Sequence, residues 1–128
     1  MTEKKTEIEK QPCCKDSDLL GREHEASVAR AKNNMPGPES VEEMCASFRV
    51  IGEPSRMRIL LALMEGEMCV YHIAEATGGK QSAVSHQLRV LKDNKIVKSR
   101  RDGKNILYSV ADEHVAKIIE MSKIHLHC

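Results

Sequence analysis

The chain has 128 residues, of which 41% are apolar and 30% charged, with a formal net charge of +1, and this suits one domain with a hydrophobic core. With one Phe, two Tyr and no Trp, the core must consist of Leu, Ile, Val, Ala and Met, which favours packed helices over a β-sandwich or barrel. No run of roughly 18 apolar residues could cross a membrane, and the N-terminal MTEKKTEIEK lacks the apolar segment of a secretory signal, so we expect a cytoplasmic protein with no membrane partner.

The first 38 residues are polar and charged, and they end in Asn-Asn-Met-Pro-Gly-Pro. Such a cluster of Asn, Pro and Gly breaks regular structure. We therefore expect a mobile N-terminal arm over 1–38, with a helical segment around 17–32, followed by one folded domain over 39–128.

Two helices are predicted at the start of the folded domain. Ser40 and Glu43 have the spacing of a capping box, which predicts a helix over 41–51. The second helix begins at 54 or 55 and continues to 65, where Gly66 is suited to the C-cap.

A helix-turn-helix follows. A short helix over 70–76, with Ile73 and Ala74 facing inward, leads through the glycines at 78 and 79 into a helix over 81–93. The inner stripe of this second helix consists of Ala83, Val84, Leu88 and Leu91. Because its other face is polar and basic, the pair has the pattern of a DNA-binding helix-turn-helix.

The residue pattern then changes to that of a β-hairpin. Two β-rich runs, 96–100 and 105–110, flank Asp102-Gly103, a strong hairpin signal. A last helix is predicted over 111–127, and one side of it carries Val115, Ile118, Ile119 and Ser122. The predicted fold is mainly α with a two-stranded β-hairpin, arranged as a winged helix-turn-helix.

Positive charge is concentrated in one segment. Residues 80–104 carry eight basic and two acidic side chains, whereas each of the other segments, 1–40, 41–79 and 105–128, has a negative net charge. A basic block on a nearly neutral chain indicates binding of a polyanion such as DNA, although a solvated surface is the alternative.

The helix predicted over 81–93 would enter the major groove, where its early residues meet base edges. The candidates for base contacts are Gln81, Ser82, Ser85, His86 and Gln87. The candidates for phosphate contacts are Arg89, Lys92, Arg100, Arg101 and Lys104. The alternative for His86 is a structural, hydrogen-bonded histidine.

Four segments carry a specific resemblance: 52–60 (GEPSRMRIL), 67–70 (EMCV), 82–91 (SAVSHQLRVL) and 101–110 (RDGKNILYSV). They resemble the ArsR/SmtB family of winged-helix metal-responsive repressors, and the match extends over 41–128. The resemblance implies a homodimer whose metal-free form binds a palindromic operator and releases the DNA when the inducer binds.

The predicted C-terminal helix carries a candidate metal site made of Asp112, His114, His125 and Cys128. His114 and His125 share one helix face but lie about 16 Å apart along the axis, so one metal cannot bridge them within a chain. Two antiparallel copies of the helix would bring Asp112 and His114 of one subunit to His125 and Cys128 of the other. Carboxylate, imidazole and thiolate ligands suit tetrahedral Zn(II).

This spacing resembles the zinc site at the dimer interface of the family, where the fourth ligand is usually Glu or His rather than Cys. Cys128 would make the site softer and extend its range to Cd(II) or Co(II). The C-terminal carboxylate or His127 are alternatives as the fourth ligand, and a solvated histidine-rich tail is the alternative to a site.

Five cysteines in a cytoplasmic chain indicate metal or redox chemistry rather than disulfides. The family has a thiolate-rich site built from the arm and the Glu-x-Cys-Val segment, and its counterpart here would be Cys13, Cys14, Cys69 and His72. The pattern is incomplete, because Tyr71 stands where Cd(II)- and Pb(II)-sensing members have a second Cys. The alternative is a buried Cys69 beside a disordered arm, and Cys45 is expected in the core.

The sequence therefore predicts a metal-sensing transcriptional repressor whose dimer binds double-stranded operator DNA and releases it on Zn(II) binding. By resemblance, it controls genes for metal export or storage. The alternatives are a thiol sensor of arsenite, soft metal, persulfide or oxidant acting through Cys13, Cys14 and Cys69, and a DNA-binding protein whose metal only holds the dimer. We expect no enzyme and no small-molecule substrate, since no open zinc site or HExxH motif is present.

Overall fold

The computed structural model describes residues 18–127, and the boundary between two compact units lies between Glu39 and Ser40. In the first unit, the helix predicted around 17–32 spans Asp18–Asn34 (α1). No helix within 18–127 has the length and apolar character needed to cross a membrane.

The remaining elements follow the predicted order of helices, hairpin and helix. They are α2 (Pro38–Ile51), α3 (Pro54–Leu63), α4 (Val70–Thr77), α5 (Gln81–Asp93), β1 (Val97–Asp102), β2 (Asn105–Val110) and α6 (Glu113–His127). The two strands pair antiparallel, with Val97 opposite Val110 and Asp102 opposite Asn105. This is the predicted mainly α fold with one β-hairpin.

One hydrophobic core joins α3, α4, α5, the hairpin and α6. Its most fully buried side chains are Ile59, Leu60, Ile73, Leu88, Leu91 and Ile119. All are aliphatic, as the scarcity of aromatic residues requires. Burying each of them removes a Leu- or Ile-sized apolar surface from water, which stabilises the fold by about 1.5–3 kcal/mol per side chain.

The segment that precedes α4 is attached to the hairpin. Met68 and Tyr108 form an antiparallel bridge in which each backbone N–H donates to the carbonyl of the other, at 3.1 and 2.8 Å. Cys69 follows as the N-cap residue of α4, so the residues at the start of this helix are held against β2.

The predicted helix ends need two corrections. α2 begins at Pro38, two residues before the predicted cap at Ser40, because proline has the backbone angle of a first helical turn and lacks an N–H that would need a partner. α3 ends earlier than predicted, with Met64 as its C-cap rather than Gly66.

Two residues predicted to face the core, Ala83 and Cys45, are exposed. Ala83 lies outside the buried stripe of α5, because Val84, Leu88 and Leu91 already define that face at i, i+4 and i+7. On the side of α6 predicted to carry Val115, Ile118, Ile119 and Ser122, the first and third of these residues are buried and the other two are exposed. Cys45, predicted in the core, is exposed on α2, because the buried part of α2 is its last residue, Ile51.

The hairpin turn lies one residue later than predicted. Gly103 and Lys104 form the two-residue loop, and Asp102 is the last residue of β1. Gly103 has a φ of +63°, which glycine adopts without steric cost, and glycine is favoured at the first position of such loops.

Lys95, which follows α5, has a φ of +60°, and it is the one non-glycine residue with positive φ in the part of the chain that the structure describes. Lys95→Gly should raise the free energy of unfolding by about 0.5–1 kcal/mol, because relief of the left-handed strain exceeds the entropy cost of glycine. Urea denaturation measures this change. Lys95→Ala keeps the strained Cβ and should give no gain, so an equal gain from alanine would contradict the explanation.

Candidate nucleic-acid interface and metal ligands

The exposed face of α5 carries most of the predicted base-contacting residues. Burial of Val84, Leu88 and Leu91 orients the opposite face outward. The exposed residues on that side are Gln81, Ser82, Ser85, His86 and Arg89, and Lys92 is also exposed. Amide, hydroxyl, imidazole and guanidinium groups on one exposed helix face can donate hydrogen bonds to base edges and phosphates.

Gln87 differs from the other predicted base-contacting residues. It is half-buried, and its Oε1 accepts a hydrogen bond from Nη1 of Arg56 at 3.1 Å. Since a guanidinium has only donors, this contact uses one of the two lone pairs of the Gln87 carbonyl oxygen. The bond fixes the direction of the Gln87 amide group, so this half-buried side chain has less freedom to turn toward a base edge than the exposed side chains of α5.

Arg56 makes three hydrogen bonds that the sequence pattern did not predict. Its Nε donates to the Val50 carbonyl at 2.7 Å, and its backbone N–H donates to Oε2 of Glu53 at 3.0 Å. The backbone N–H groups of Ser55 and Arg56 lower the pKa of Glu53, whose carboxylate caps α3. The available signal for this cap was an acceptor side chain directly before Pro54, because proline is favoured at the first helical position. Nothing in the sequence indicated the contact with Gln87.

The hairpin separates the predicted phosphate-binding residues into two groups. Arg101 and Lys104 are exposed near the turn. Arg100 instead forms an ion pair with Glu67, in which its Nε lies 3.0 and 2.9 Å from the two carboxylate oxygens and its Nη2 also contacts Oε1. The guanidinium lowers the pKa of Glu67, and the carboxylate raises the pKa of Arg100. The charge of Arg100 is thus balanced within the protein.

Asp112 and His114 lie together at the start of α6. Nδ1 of His114 is 3.6 Å from Oδ1 of Asp112, and the side chain of His114 is 89% exposed. Oδ1 of Asp112 also accepts the Val115 N–H at 3.0 Å, so Asp112 caps the helix, a role that the sequence analysis missed. Its position before Glu113 and the i, i+3 relation to Val115 were the available signals.

His125 lies on the same helix, in its last turn, and Cys128 lies outside the described residues. The eleven-residue separation from His114 corresponds to about 16 Å along the helix axis. Within 18–127 no three His, Cys, Asp or Glu side chains are grouped closely enough to hold a metal ion. One chain therefore presents two separate parts of the predicted ligand set.

Two of the four residues of the predicted thiol site lie side by side in the structure. The Sγ of Cys69 lies 3.3 Å from Nδ1 of His72, and Tyr71 packs edge-on against the His72 ring. Cys69 is partly exposed, so a soft ion could reach this thiol–imidazole pair. Cys13 and Cys14 lie outside the described residues.

Two helices of the folded unit expose large apolar side chains. On α2 these are Val41, Met44 and Phe48, and on α6 they are Ile118, Met121, Ile124 and Leu126. Phe48 is 58% and Leu126 is 79% exposed. Apolar side chains three or four residues apart lie on one face of a helix, and an exposed apolar face of this kind suits binding to another protein.

Residues 53–99 match the sequence profile of a family described as bacterial regulatory protein, arsR family. A transcriptional repressor SmtB homolog of Synechocystis sp. is 36% identical over 118 residues, which cover 92% of this chain and 86% of the relative. A cadmium resistance transcriptional regulatory protein CadC homolog of Staphylococcus aureus is 34% identical over 103 residues, covering 80% and 84%.

Solved structures show the same fold. The AntR antimony-specific transcriptional repressor is 33% identical, with a TM-score of 0.67 over 73% of this chain and 86% of that one. A homodimeric winged helix-turn-helix DNA-binding domain from Mycobacterium bovis is 26% identical, with a TM-score of 0.66 over 73% and 90%. The fold predicted from the sequence is therefore confirmed.

The capping role of Asp112 can be separated from a role as ligand. Asp112→Ala should lower the Tm by a few degrees, because the Val115 N–H loses its acceptor, whereas Asp112→Asn keeps a good N-cap and should stay close to wild type. Thermal unfolding followed by circular dichroism at neutral pH, without metal, measures the difference. Equal losses in both variants would contradict the cap.

The same carboxylate predicts a pH dependence. Mainly the hydrogen bond from Val115, and also the charge of His114, lower the pKa of Asp112 from its ordinary value of 3.8. The folded chain then binds fewer protons than the unfolded chain, so the stabilising contribution is present above the ordinary pKa and is lost as the pH falls. Between about pH 5 and pH 2, Asp112→Asn should lose less stability than wild type.

Proposed function

The chain belongs to the arsR family of bacterial regulatory proteins, and from this premise we propose that it is a homodimeric repressor that releases operator DNA when Zn(II) binds between the C-terminal helices. Membership of the family and the relatives make the chain a transcriptional regulator and not an enzyme. Release of the DNA would allow expression of genes for metal export or storage. The protein would act in the cytoplasm, where the DNA is.

The proposed dimer is supported by the apolar surfaces of α2 and α6. Met44 and Phe48 on α2, and Met121, Ile124 and Leu126 on α6, are exposed in the single chain. Pairing of two chains would remove this area from water, at about 25 cal/mol per Å² of apolar surface. The homodimeric relative from Mycobacterium bovis has the same fold.

In the proposed complex, α5 enters the major groove and the hairpin lies along the backbone. Ser82, Ser85 and His86 are exposed on the face of α5 opposite the core, where a recognition helix meets base edges. Arg101 and Lys104 are exposed at the hairpin turn and would bind phosphates, which adds affinity independent of sequence. A dimer places two such helices on the two halves of a palindrome.

The observation that carries the metal proposal is the Asp112–His114 pair at the start of α6. Both side chains are open to solvent, and their Oδ1 and Nδ1 atoms lie 3.6 Å apart, while His125 is on the same helix about 16 Å away. In an antiparallel pair of helices, this pair would face His125 and Cys128 of the second copy. Oxygen, nitrogen and sulfur donors of this kind fit a tetrahedral Zn(II) site.

Release of DNA then follows from linkage between two sites. If the metal-bound dimer holds its two α5 helices in an arrangement that DNA disfavours, Zn(II) weakens DNA binding. DNA must weaken Zn(II) binding by the same factor. A dimer in which Zn(II) only strengthens association would show no such reciprocal effect.

The proposal is tested by titrating reduced, metal-free protein into a fluorescent duplex recovered by in vitro selection, with anisotropy as the readout. Adding Zn(II) should release the DNA at about one ion per subunit, and a chelator should restore binding. His114→Ala should bind the duplex as wild type does but should stay bound when Zn(II) is added, because one ligand is missing.

His72→Ala is the matched control, since it also removes a single exposed imidazole but leaves the proposed site complete. It should respond to Zn(II) like wild type. Zn(II) binding without any release of DNA would contradict the regulatory role. The metal would then serve only to stabilise the dimer.

A thiol sensor is the second candidate, and the 3.3 Å contact between Cys69 Sγ and His72 Nδ1 favours it. A thiol and an imidazole side by side are both ligands that suit a soft metal ion. Under this function, Cys69→Ser would abolish release by arsenite, Cd(II) or persulfide, whereas His114→Ala would leave that release intact.

The ion pair between Glu67 and Arg100 predicts a variant with tighter DNA binding. Glu67→Gln should raise the affinity several-fold and steepen the dependence of log Kd on log salt by about one, because Arg100 becomes available to a phosphate. Anisotropy at several salt concentrations measures both quantities. Glu65→Gln is the control, since Glu65 is also exposed but has no such arginine partner; the same steepening there would attribute the effect to net charge alone.

A further inference from the structure

The side chain of Arg56 joins three helices. It belongs to the first turn of α3, its Nε donates to the Val50 carbonyl near the end of α2 at 2.7 Å, and its Nη1 donates to Gln87 of α5 at 3.1 Å. Both contacts are partly buried. Because the guanidinium is planar, fixing Nε on one acceptor also fixes the direction of Nη1.

Otherwise α5 is held to the domain by apolar packing. Val84, Leu88 and Leu91 contribute to the core, and within residues 18–127 the Arg56–Gln87 bond is the one side-chain hydrogen bond between α5 and another helix. Apolar contacts have little directional preference, so they permit a helix to rotate or slide slightly. A hydrogen bond to a fixed guanidinium does not.

We propose that Arg56, acting through Gln87, is the positioning residue that sets the orientation of α5 relative to α2 and thereby the half-site spacing that the dimer accepts. This inference rests on the proposed function. It also assigns Gln87 to positioning rather than to reading bases. In the proposed dimer, α2 belongs to the interface, so the Val50–Arg56–Gln87 connection links each DNA-contacting helix to the interface helix of its own chain.

Spacing is the property that such a link would control. One added base pair turns one half-site by about 35° and moves it by about 3.4 Å relative to the other. A dimer with firmly oriented α5 helices should reject that change, whereas a dimer whose helices can adjust should tolerate it. Loss of fold stability alone would lower the active fraction equally for every spacing.

The experiment uses the full-length, metal-free protein and the palindrome recovered from a random duplex pool, together with versions that have one base pair added to or removed from the centre. Wild type should bind the altered duplexes roughly tenfold or more weakly. Arg56→Lys keeps the charge but lacks the planar guanidinium that reaches both acceptors. The loss of affinity on changing the spacing (the spacing penalty) should therefore fall to about threefold or less in this variant. Gln87→Leu should behave in the same way.

Two variants serve as controls. Gln87→Glu keeps an acceptor for Arg56 and should retain the wild-type spacing penalty, and Arg58→Lys makes the same substitution at an exposed arginine two residues away and should also retain it. Arg56→Lys and Gln87→Leu variants that keep the full penalty would overturn the inference while leaving the proposed function intact. Failure of wild type to select any palindrome would contradict the proposed function, and the inference with it.

Discussion

Burial of one face of α5 is the constraint on which the rest of the molecule depends. Val84, Leu88 and Leu91 pack against α3, α4 and the hairpin as part of a single aliphatic core. Because the helix is amphipathic, this packing leaves Ser82, Ser85, His86 and Arg89 on the opposite, exposed face. The same apolar contacts that stabilise the fold therefore also present the polar surface that DNA would meet.

A second copy of the chain would account for two features of the single chain. α2 and α6 expose apolar side chains that water disfavours, and α6 separates Asp112 and His114 from His125 by too great a length for one metal ion. Pairing with a second copy would cover the apolar surface and complete the ligand set together. Under this proposal, metal binding and dimer geometry are linked because they use the same helix.

Fewer positive charges of the basic segment 80–104 are free to bind a polyanion than its residue count indicates. Arg100 is paired with Glu67, while Arg101 and Lys104 remain exposed at the turn. Arg56, outside that segment, is the arginine that contacts α5 itself. Some arginines thus bind other residues of the domain, and others remain available to bind a polyanion.

Local pattern by itself determined the element types, the helix-turn-helix, the hairpin and the exposed polar face of α5, because helix periodicity, glycine turns and β-rich runs act over a few residues. Only tertiary structure decided the pairing of Arg100 with Glu67, the contact of Arg56 with Gln87 and the exposure of Cys45, because these depend on residues far apart in sequence or on which face of a helix finds a partner. The helix cap at Asp112 was determined partly by the local pattern and partly by the folded structure. Its spacing to Val115 was visible in the sequence, but the start of α6 at Glu113 was needed to give that spacing its meaning.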